Sequence, residues 1–365
     1  MFVVVTRNFP PDIGGMQILM GGLSESLLNH GPVKVFTFEH QKANDFDSKS
    51  SMSIERVKGL KLFRKFRKAN LINEFINNNK NIRALIADHW KSLELIKIDN
   101  LKKTKTICLL HSKEINHEVG SSLNKRVLKS TNNADFIVAN SNFTKNLAIK
   151  IGINASKISV IFPGITKPEE VENSYQIKAK KIFGDSFPKI ITVSRLDKRK
   201  GHDKILMLIK NLKTKFPKIK YVSIGFGKEE KNLLKLSKEL GLDNEVIFLK
   251  DIEYKLKIAL ISESNLYLMP SRIEKKSVEG FGISFVEAAS YGVGSIGGKD
   301  GGASDAIDHK KTGLICDGND LNSIYDSVLN FFKNENFIKY GNNAKEFSKD
   351  FHWSKIIKNY LKLIN

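Results

Sequence analysis

The sequence predicts an α/β fold of two domains, each a parallel sheet covered by helices, with the carboxyl edges of the two sheets facing across a cleft. Three observations predict it. Short β-branched or apolar runs alternate with amphipathic helical stretches from end to end, the pattern that parallel sheets require. The 365 residues exceed the roughly 150 of one ordinary domain and fall short of three. A polar stretch at Thr166–Lys181, following Pro163 and Gly164, offers little to a core and reads as a linker between two sets of runs.

In the first set the strands are expected at Phe2–Thr6, Val33–Phe38, Ala84–Asp88, Thr106–Leu110, Phe136–Ala139 and Ile158–Phe162. Each is short and apolar enough to be buried on both faces. The second set is Ile190–Val193, Lys220–Ile224, Val246–Leu249, Leu266–Met269, Ser295–Gly297 and Gly313–Cys316. Only helical patterns follow: Leu321–Lys333, Phe337–Lys349 and Trp353–Leu363, the last with an apolar stripe at Ile356, Ile357, Tyr360, Leu361 and Ile364. The expected domains are therefore 1–165 and 182–350, with a helix at 351–365 free to pack on either, the N-terminal one included.

Composition excludes several classes. With 41% hydrophobic and 27% charged residues the chain is neither collagen-like nor disordered. No apolar run approaches the roughly 18 residues of a membrane span, and the N-terminus enters a strand-like run directly, so a cytoplasmic protein is expected. Cys108 and Cys316 lie far apart in apolar runs, which suits buried thiols and neither a disulfide scaffold nor zinc. The 60 basic against 39 acidic residues give a net charge of +21, which attracts polyanions such as nucleic acid, anionic lipid or sugar phosphates. Lysine usage imposed by an AT-rich genome explains the same number. No recognition module for nucleic acid is found, so none is expected as a partner.

Gly14 and Gly15 stand between the first strand and a helix, where they serve either a tight turn or the approach of an anionic ligand to the helix N-terminus. Gly225 and Gly227 follow the strand ending at Ile224, but Glu230 occupies the place of a dinucleotide fingerprint's third glycine. After Val193 the chain delivers Arg195, Lys198, Arg199 and Lys200 within six residues. Arg195 and Lys200 are suited to a diphosphate, as fork and point charge, and Lys198 and Arg199 read as a solvated face. The segment Leu268–Ala289 reads as strand, loop and helix. Glu279 lies on the loop and Glu287 in the helix, and the backbone N–H groups near Gly280, Phe281, Gly282 and Ile283 point out of the helix start.

The spacing Glu279-x7-Glu287 with Gly280-Phe281-Gly282, together with Arg195, Lys200 and Gly14-Gly15, resembles the retaining glycosyltransferases of the GT-B fold, family four (glycosyl transferases group 1). His111-Ser112-Lys113-Glu114, Ala139–Thr144, Val160–Gly164, Gly301-Gly302 with Asp305-Ala306-Ile307, and Thr312-Gly313-Leu314 are similar to the same family, in order along the chain. The resemblance implies two Rossmann-like domains and transfer of a hexose from a nucleotide diphosphate sugar, with retention and without a metal or other cofactor. It implies that Arg195 and Lys200 neutralise the diphosphate, Glu279 holds the donor sugar and Glu287 the ribose. The backbone of Gly280–Ile283 and the glycines Gly225 and Gly227 would serve the donor, Gly14 and Gly15 would close over it, and His111 would lie beside the reacting centre. A UDP-sugar is favoured over a GDP-sugar. The alternatives are a non-catalytic nucleotide-sugar binder, or an epimerase or phosphorylase on the same fold.

Two further segments matter. Asp45-Phe46-Asp47 has the Asp-x-Asp spacing of metal-dependent transferases, but sits in an expected polar loop, Gln41–Ser51, far from the donor motifs. Arg56–Asn70 is basic, with Leu62, Phe63, Phe66 and Ala69 at helical spacing and Arg64, Lys65, Arg67 and Lys68 among them. It reads as an interfacial helix on an anionic bilayer or as an ordinary helix with lysines outside. Members of the family that glycosylate membrane lipids look similar here, which implies a peripheral enzyme at the inner face of the membrane and a lipid or lipid-linked acceptor.

Overall fold

A computed structural model describes residues 1–98, 101 and 104–365 and divides into two units, Met1–Thr166 with Phe351–Asn365, and Lys167–Asp350. The first unit runs β1 (Phe2–Val5), α1 (Gly15–Leu28), β2 (Val33–Phe38), α2 (Ala43–Lys49), β3 (Ser53–Val57), α3 (Lys61–Asn78) and β4 (Ala84–Ala87). It continues with α4 (Trp90–Leu93), β5 (Lys105–Leu110), α5 (Ser122–Asn132), β6 (Phe136–Ala139), α6 (Asn142–Lys150) and β7 (Ile158–Val160). The strands form one parallel sheet in the order β3-β2-β1-β4-β5-β6-β7. Its central strands β1 and β4 are wholly buried, as helices on both faces demand.

Two elements here depart from expectation. β3 lies outside the predicted set because Ser53–Val57 is mostly polar; it forms by pairing on one side only, along β2, and an edge strand tolerates polar residues. The expected loop Gln41–Ser51 contains α2. Arg56 holds Asp47 in a fork at 2.7 and 2.8 Å, and Lys49 meets Asp45 at 2.7 Å, so each carboxylate of the Asp-x-Asp pattern has a cation of its own.

The second unit runs α7 (Asn173–Phe183), β8 (Lys189–Val193), α8 (His202–Leu212), β9 (Lys220–Ile224), α9 (Glu230–Glu239), β10 (Val246–Leu249) and α10 (Tyr254–Ser262). Then come β11 (Leu266–Met269), α11 (Ile283–Ser290), β12 (Ser295–Gly298), α12 (Ala303–Ala306), β13 (Gly313–Cys316), α13 (Leu321–Phe332) and α14 (Asn336–Ser348). The sheet is parallel, in the order β10-β9-β8-β11-β12-β13. The predicted linker Thr166–Lys181 is mostly part of this unit. α7 buries Ala179 and Phe183, and Tyr175 donates a hydrogen bond to Glu253 at the start of α10. Its lysines dilute that apolar set, which is why the stretch reads as linker in sequence.

The last helix, α15 (Trp353–Ile364), belongs to the first unit. Trp353, Ile356, Ile357, Tyr360 and Ile364 are buried, and Trp353 N–H donates to the Ile165 carbonyl at 3.0 Å. The indole fits because Gly164 stands against it: a Cβ there would lie 2.4 Å from the ring.

Candidate active site

The site is built where β8 and β11 end. After Val193 the chain passes through Ser194–Asp197 into a single turn at Lys198–Lys200, and Gly201 opens α8. After Met269 it loops to Gly282, whose φ of +91° only glycine adopts without strain, and α11 begins at Ile283. The two loops are tied together. Arg272 N–H donates to the Arg199 carbonyl at 2.8 Å, and the Arg272 guanidinium forks onto Asp203 in the first turn of α8 at 3.0 and 2.8 Å.

That tie brings two cations onto one carboxylate. Arg199 Nη1 donates to Glu279 Oε2 at 2.6 Å, and Lys200 Nζ donates to the same oxygen. All three side chains are about nine-tenths buried. A Cβ built at Gly282 would lie 3.7 Å from Glu279 Cγ, so the carboxylate sits beside the start of α11. Burial alone would raise the Glu279 carboxyl; the Lys200 and Arg199 charges outweigh it and hold the group at about 2. Burial lowers the Lys200 ammonium, and Glu279 opposes the drop. Two cations against one carboxylate leave a positive excess at a helix N-terminus, which is an electrostatic trap for an anion.

Arg199 is a correction to the sequence reading, which places it on a solvated face. The turn at Lys198–Lys200, pinned by Arg272, swings it inward, and only a charge run was visible in sequence. Arg195 is not part of the cluster. Its side chain is 61% exposed and meets Asp197 at 3.4 Å, yet it is near enough to press on the Lys200 charge. Gly225 and Gly227 seat against the loop that carries Arg195. A Cβ at Gly225 would lie 2.0 Å from the Ser194 carbonyl oxygen, and Leu196 N–H donates to Phe226 at 3.0 Å.

Glu287 lies on α11 and pairs with Lys257 of α10. Gly280 is backed by the Gly301-Gly302 turn, where Gly302 N–H donates to the Glu279 carbonyl at 2.9 Å. The Phe281 ring is buried, so only its backbone can face a ligand. Beside this site His202 is fully buried between Ser194, Tyr221 and Ser223, and burial lowers it to about 4, keeping it neutral. Among the described residues no group of three or more His, Cys, Asp or Glu could hold a metal ion.

The remaining predicted residues lie in the first unit. Gly14 precedes α1 and Gly15 begins it, exposed. His111 donates from Nε2 to the Asp88 carbonyl at 2.9 Å, and its N–H donates to Glu114 at 2.6 Å. His89 caps α4 by accepting from Lys91 N–H; burial and then Arg7 hold it down at about 2. Trp90 is core. On α3, Leu62, Phe63 and Phe66 are exposed, at 79%, 61% and 49%, while Ala69 is buried. The four cations divide. Lys65 and Arg67 are exposed, whereas Arg64 stacks on the Phe38 ring, 4.6 Å from its centre. Lys68 is buried, donating to the Thr6 carbonyl at 2.7 Å. It cannot meet a membrane, because it shares the inward face with Ile72 and Ile76.

A parallel two-unit α/β chain with a buried cationic cluster at the strand ends of its second unit has the architecture of nucleotide-sugar transferases with the GT-B fold. Comparison with known proteins agrees. The profile of the family described as "Glycosyl transferases group 1" matches residues 173–350, and that of "Glycosyltransferase Family 4" matches residues 13–167. The chain belongs to this glycosyltransferase family. A GDP-mannose-dependent alpha-(1-6)-phosphatidylinositol monomannoside mannosyltransferase of Mycolicibacterium smegmatis is 24% identical, over 89% of this chain and 87% of its own. An uncharacterized glycosyltransferase of Methanocaldococcus jannaschii is 30% identical over 63% of this chain and 58% of its own. Among solved structures, sucrose-phosphate synthase from Thermosynechococcus elongatus superposes with a TM-score of 0.82 at 18% identity, covering 99% of this chain and 98% of that one. The mannosyltransferase's donor runs against the preference for a UDP-sugar.

Proposed function

We propose that the protein is a retaining, metal-independent hexosyltransferase that moves a sugar from a nucleotide diphosphate donor to a hydroxyl of a membrane lipid or lipid-linked glycan, at the inner face of the membrane. The observation that carries this reading is the buried cluster of Arg199, Lys200 and Glu279 beside the start of α11. As the bond from the sugar's C1 to the diphosphate breaks, negative charge builds on the leaving oxygen. Fixed cations and backbone N–H groups stabilise that charge without reorganising, which is the role a metal takes in other transferases.

Lys200 and the exposed fork of Arg195 serve the diphosphate, and Arg199 steadies Glu279. Glu279 takes hydroxyls of the donor sugar, Glu287 exchanges Lys257 for the ribose, and the Gly280–Ile283 backbone takes a phosphate or sugar oxygen. The acceptor hydroxyl attacks C1 on the face the diphosphate leaves from, and its proton passes to the departing phosphate oxygen. Gly14, Gly15 and His111 keep the roles the family resemblance implies. The relatives' names move GDP-mannose ahead of a UDP-sugar as the donor to test.

Membrane attachment is supported by the exposed Leu62, Phe63 and Phe66 beside Lys65 and Arg67. Among the described residues no helix is long and apolar enough to cross a membrane. A stability screen against nucleotide sugars tests the donor half. A ligand at 100 times its Kd adds about 2.7 kcal/mol, so the true donor raises Tm saturably in wild type and far less in Lys200→Ala. A screen in which no nucleotide sugar stabilises the chain contradicts the proposal.

A further inference from the structure

The first unit holds a second cationic feature that the donor chemistry does not use. A cavity of about 260 Å³ opens at the carboxyl ends of β1 and β2, lined by Arg7, Asn8, Phe9, Asp12, Phe38, Glu39, His40 and Arg64. It is smaller than the roughly 300–1,000 Å³ that drug-sized ligands occupy, too small for a nucleotide sugar and of a size for one headgroup. Its carboxylates are already engaged. Asp12 accepts from Gln17 at 2.7 Å and from Ile13 N–H at 2.9 Å, and Glu39 faces Lys58 at 3.7 Å.

Its guanidiniums have no such partner. The Arg7 side chain is exposed and forms no ion pair among the described residues, although its backbone N–H donates to Asp88 at 2.8 Å, and Arg64, stacked on Phe38, keeps a buried Nε without a hydrogen-bond partner. Burial lowers the Lys68 ammonium behind them to about 8; Asp88 opposes the drop, and Arg7 and Arg64 add to it. Three cations thus stand around one buried carboxylate, Asp88, which already accepts from Thr6, Arg7 N–H and Ser92, so a positive excess is left that favours an anion in the cavity. Arg64 also belongs to α3, so the helix that exposes Leu62, Phe63 and Phe66 lines this cavity as well.

We propose that this cavity binds the phosphate of a phospholipid-type acceptor, with Arg7 and Arg64 as a two-guanidinium clamp. It rests on the reading that the protein glycosylates a lipid, and it adds that the acceptor carries a phosphate beside the hydroxyl to be glycosylated. Bidentate Arg–phosphate contacts fix orientation as well as affinity, so the clamp selects which hydroxyl is presented.

Titration of the full chain with glycerol 3-phosphate, with glycerol and with inorganic phosphate, followed by ligand-observed NMR, tests the clamp. Wild type should bind glycerol 3-phosphate saturably and more tightly than inorganic phosphate, and ignore glycerol. Arg7→Gln, at an exposed position, and Arg64→Gln should each weaken that binding about tenfold or more, the loss of one charge-assisted contact. Arg7→Gln should leave nucleoside diphosphate binding at the wild-type level, which separates the clamp from the donor site. Equal binding of glycerol 3-phosphate by Arg7→Gln and wild type overturns the proposal. So does equal affinity for inorganic phosphate, which marks a free-anion site rather than a headgroup site. If wild type fails to bind any nucleoside diphosphate, the transferase reading falls while the glycerol 3-phosphate arm still reports on the clamp.

Discussion

Glu279 accepts from Arg199 and Lys200 at once, and its neighbours determine what its loss should do. Glu279→Gln keeps the shape and removes the charge, and Lys200→Ala removes the partner that faces the proposed leaving group. Each should lower transfer about 100-fold or more, the cost of one preorganised charge contact, while circular dichroism stays that of a folded chain. Steady-state rates within a factor of three of wild type would remove these residues from the chemistry. The same carboxyl has a pH consequence. Its value in the folded chain is about 2, below the ordinary 4.5, so its stabilisation is complete above the unfolded value and is lost as pH falls from about 4.5 through 2. Acid titration of stability should show this loss in wild type, and Glu279→Gln should flatten it. Of this cluster, Lys200 and Glu279 were legible in sequence, through the family's spacing. Arg199 was not, because in a chain with 60 basic residues one more cation in a run carries no contrast.

At the scale of elements, α3 is where sequence and structure divide most usefully. Its basic, apolar pattern is visible in sequence, but which cations face outward depends on how the helix meets β2 and β3. The structure turns Arg64 and Lys68 inward and leaves Lys65 and Arg67 out. The vesicle test therefore belongs on the outward pair. Sedimentation with anionic vesicles should weaken with salt, since each cation near such a surface contributes about 1 kcal/mol. It should fall sharply in Lys65→Glu with Arg67→Glu, or in Phe63→Ser with Phe66→Ser. Unchanged sedimentation in both double variants would make α3 an ordinary surface helix. The strands legible in sequence were the apolar ones, most of them buried on both faces, though the edge strands β7 and β10 are only partly buried. β3 was lost because an edge strand can be polar, and α7 because its few apolar residues are spaced among lysines.

For the whole molecule, alternating apolar runs made the two parallel sheets readable, and the order of the motifs made the family readable. Periodicity carries no information about a contact between two loops, so the tie from Arg272 to Asp203 and the Arg7–Arg64 cavity needed coordinates. The proposed chemistry is sugar transfer with retention, driven by fixed cations rather than by a metal. Product analysis tests it most directly: the chain is incubated with labelled GDP-mannose and membrane lipids in excess EDTA, and the anomeric configuration of the lipid-extracted product is read by NMR. The product should be α-linked, made at an undiminished rate in chelator and absent with Lys200→Ala. A β-linked product, or activity abolished by EDTA and restored by manganese or magnesium, would contradict it.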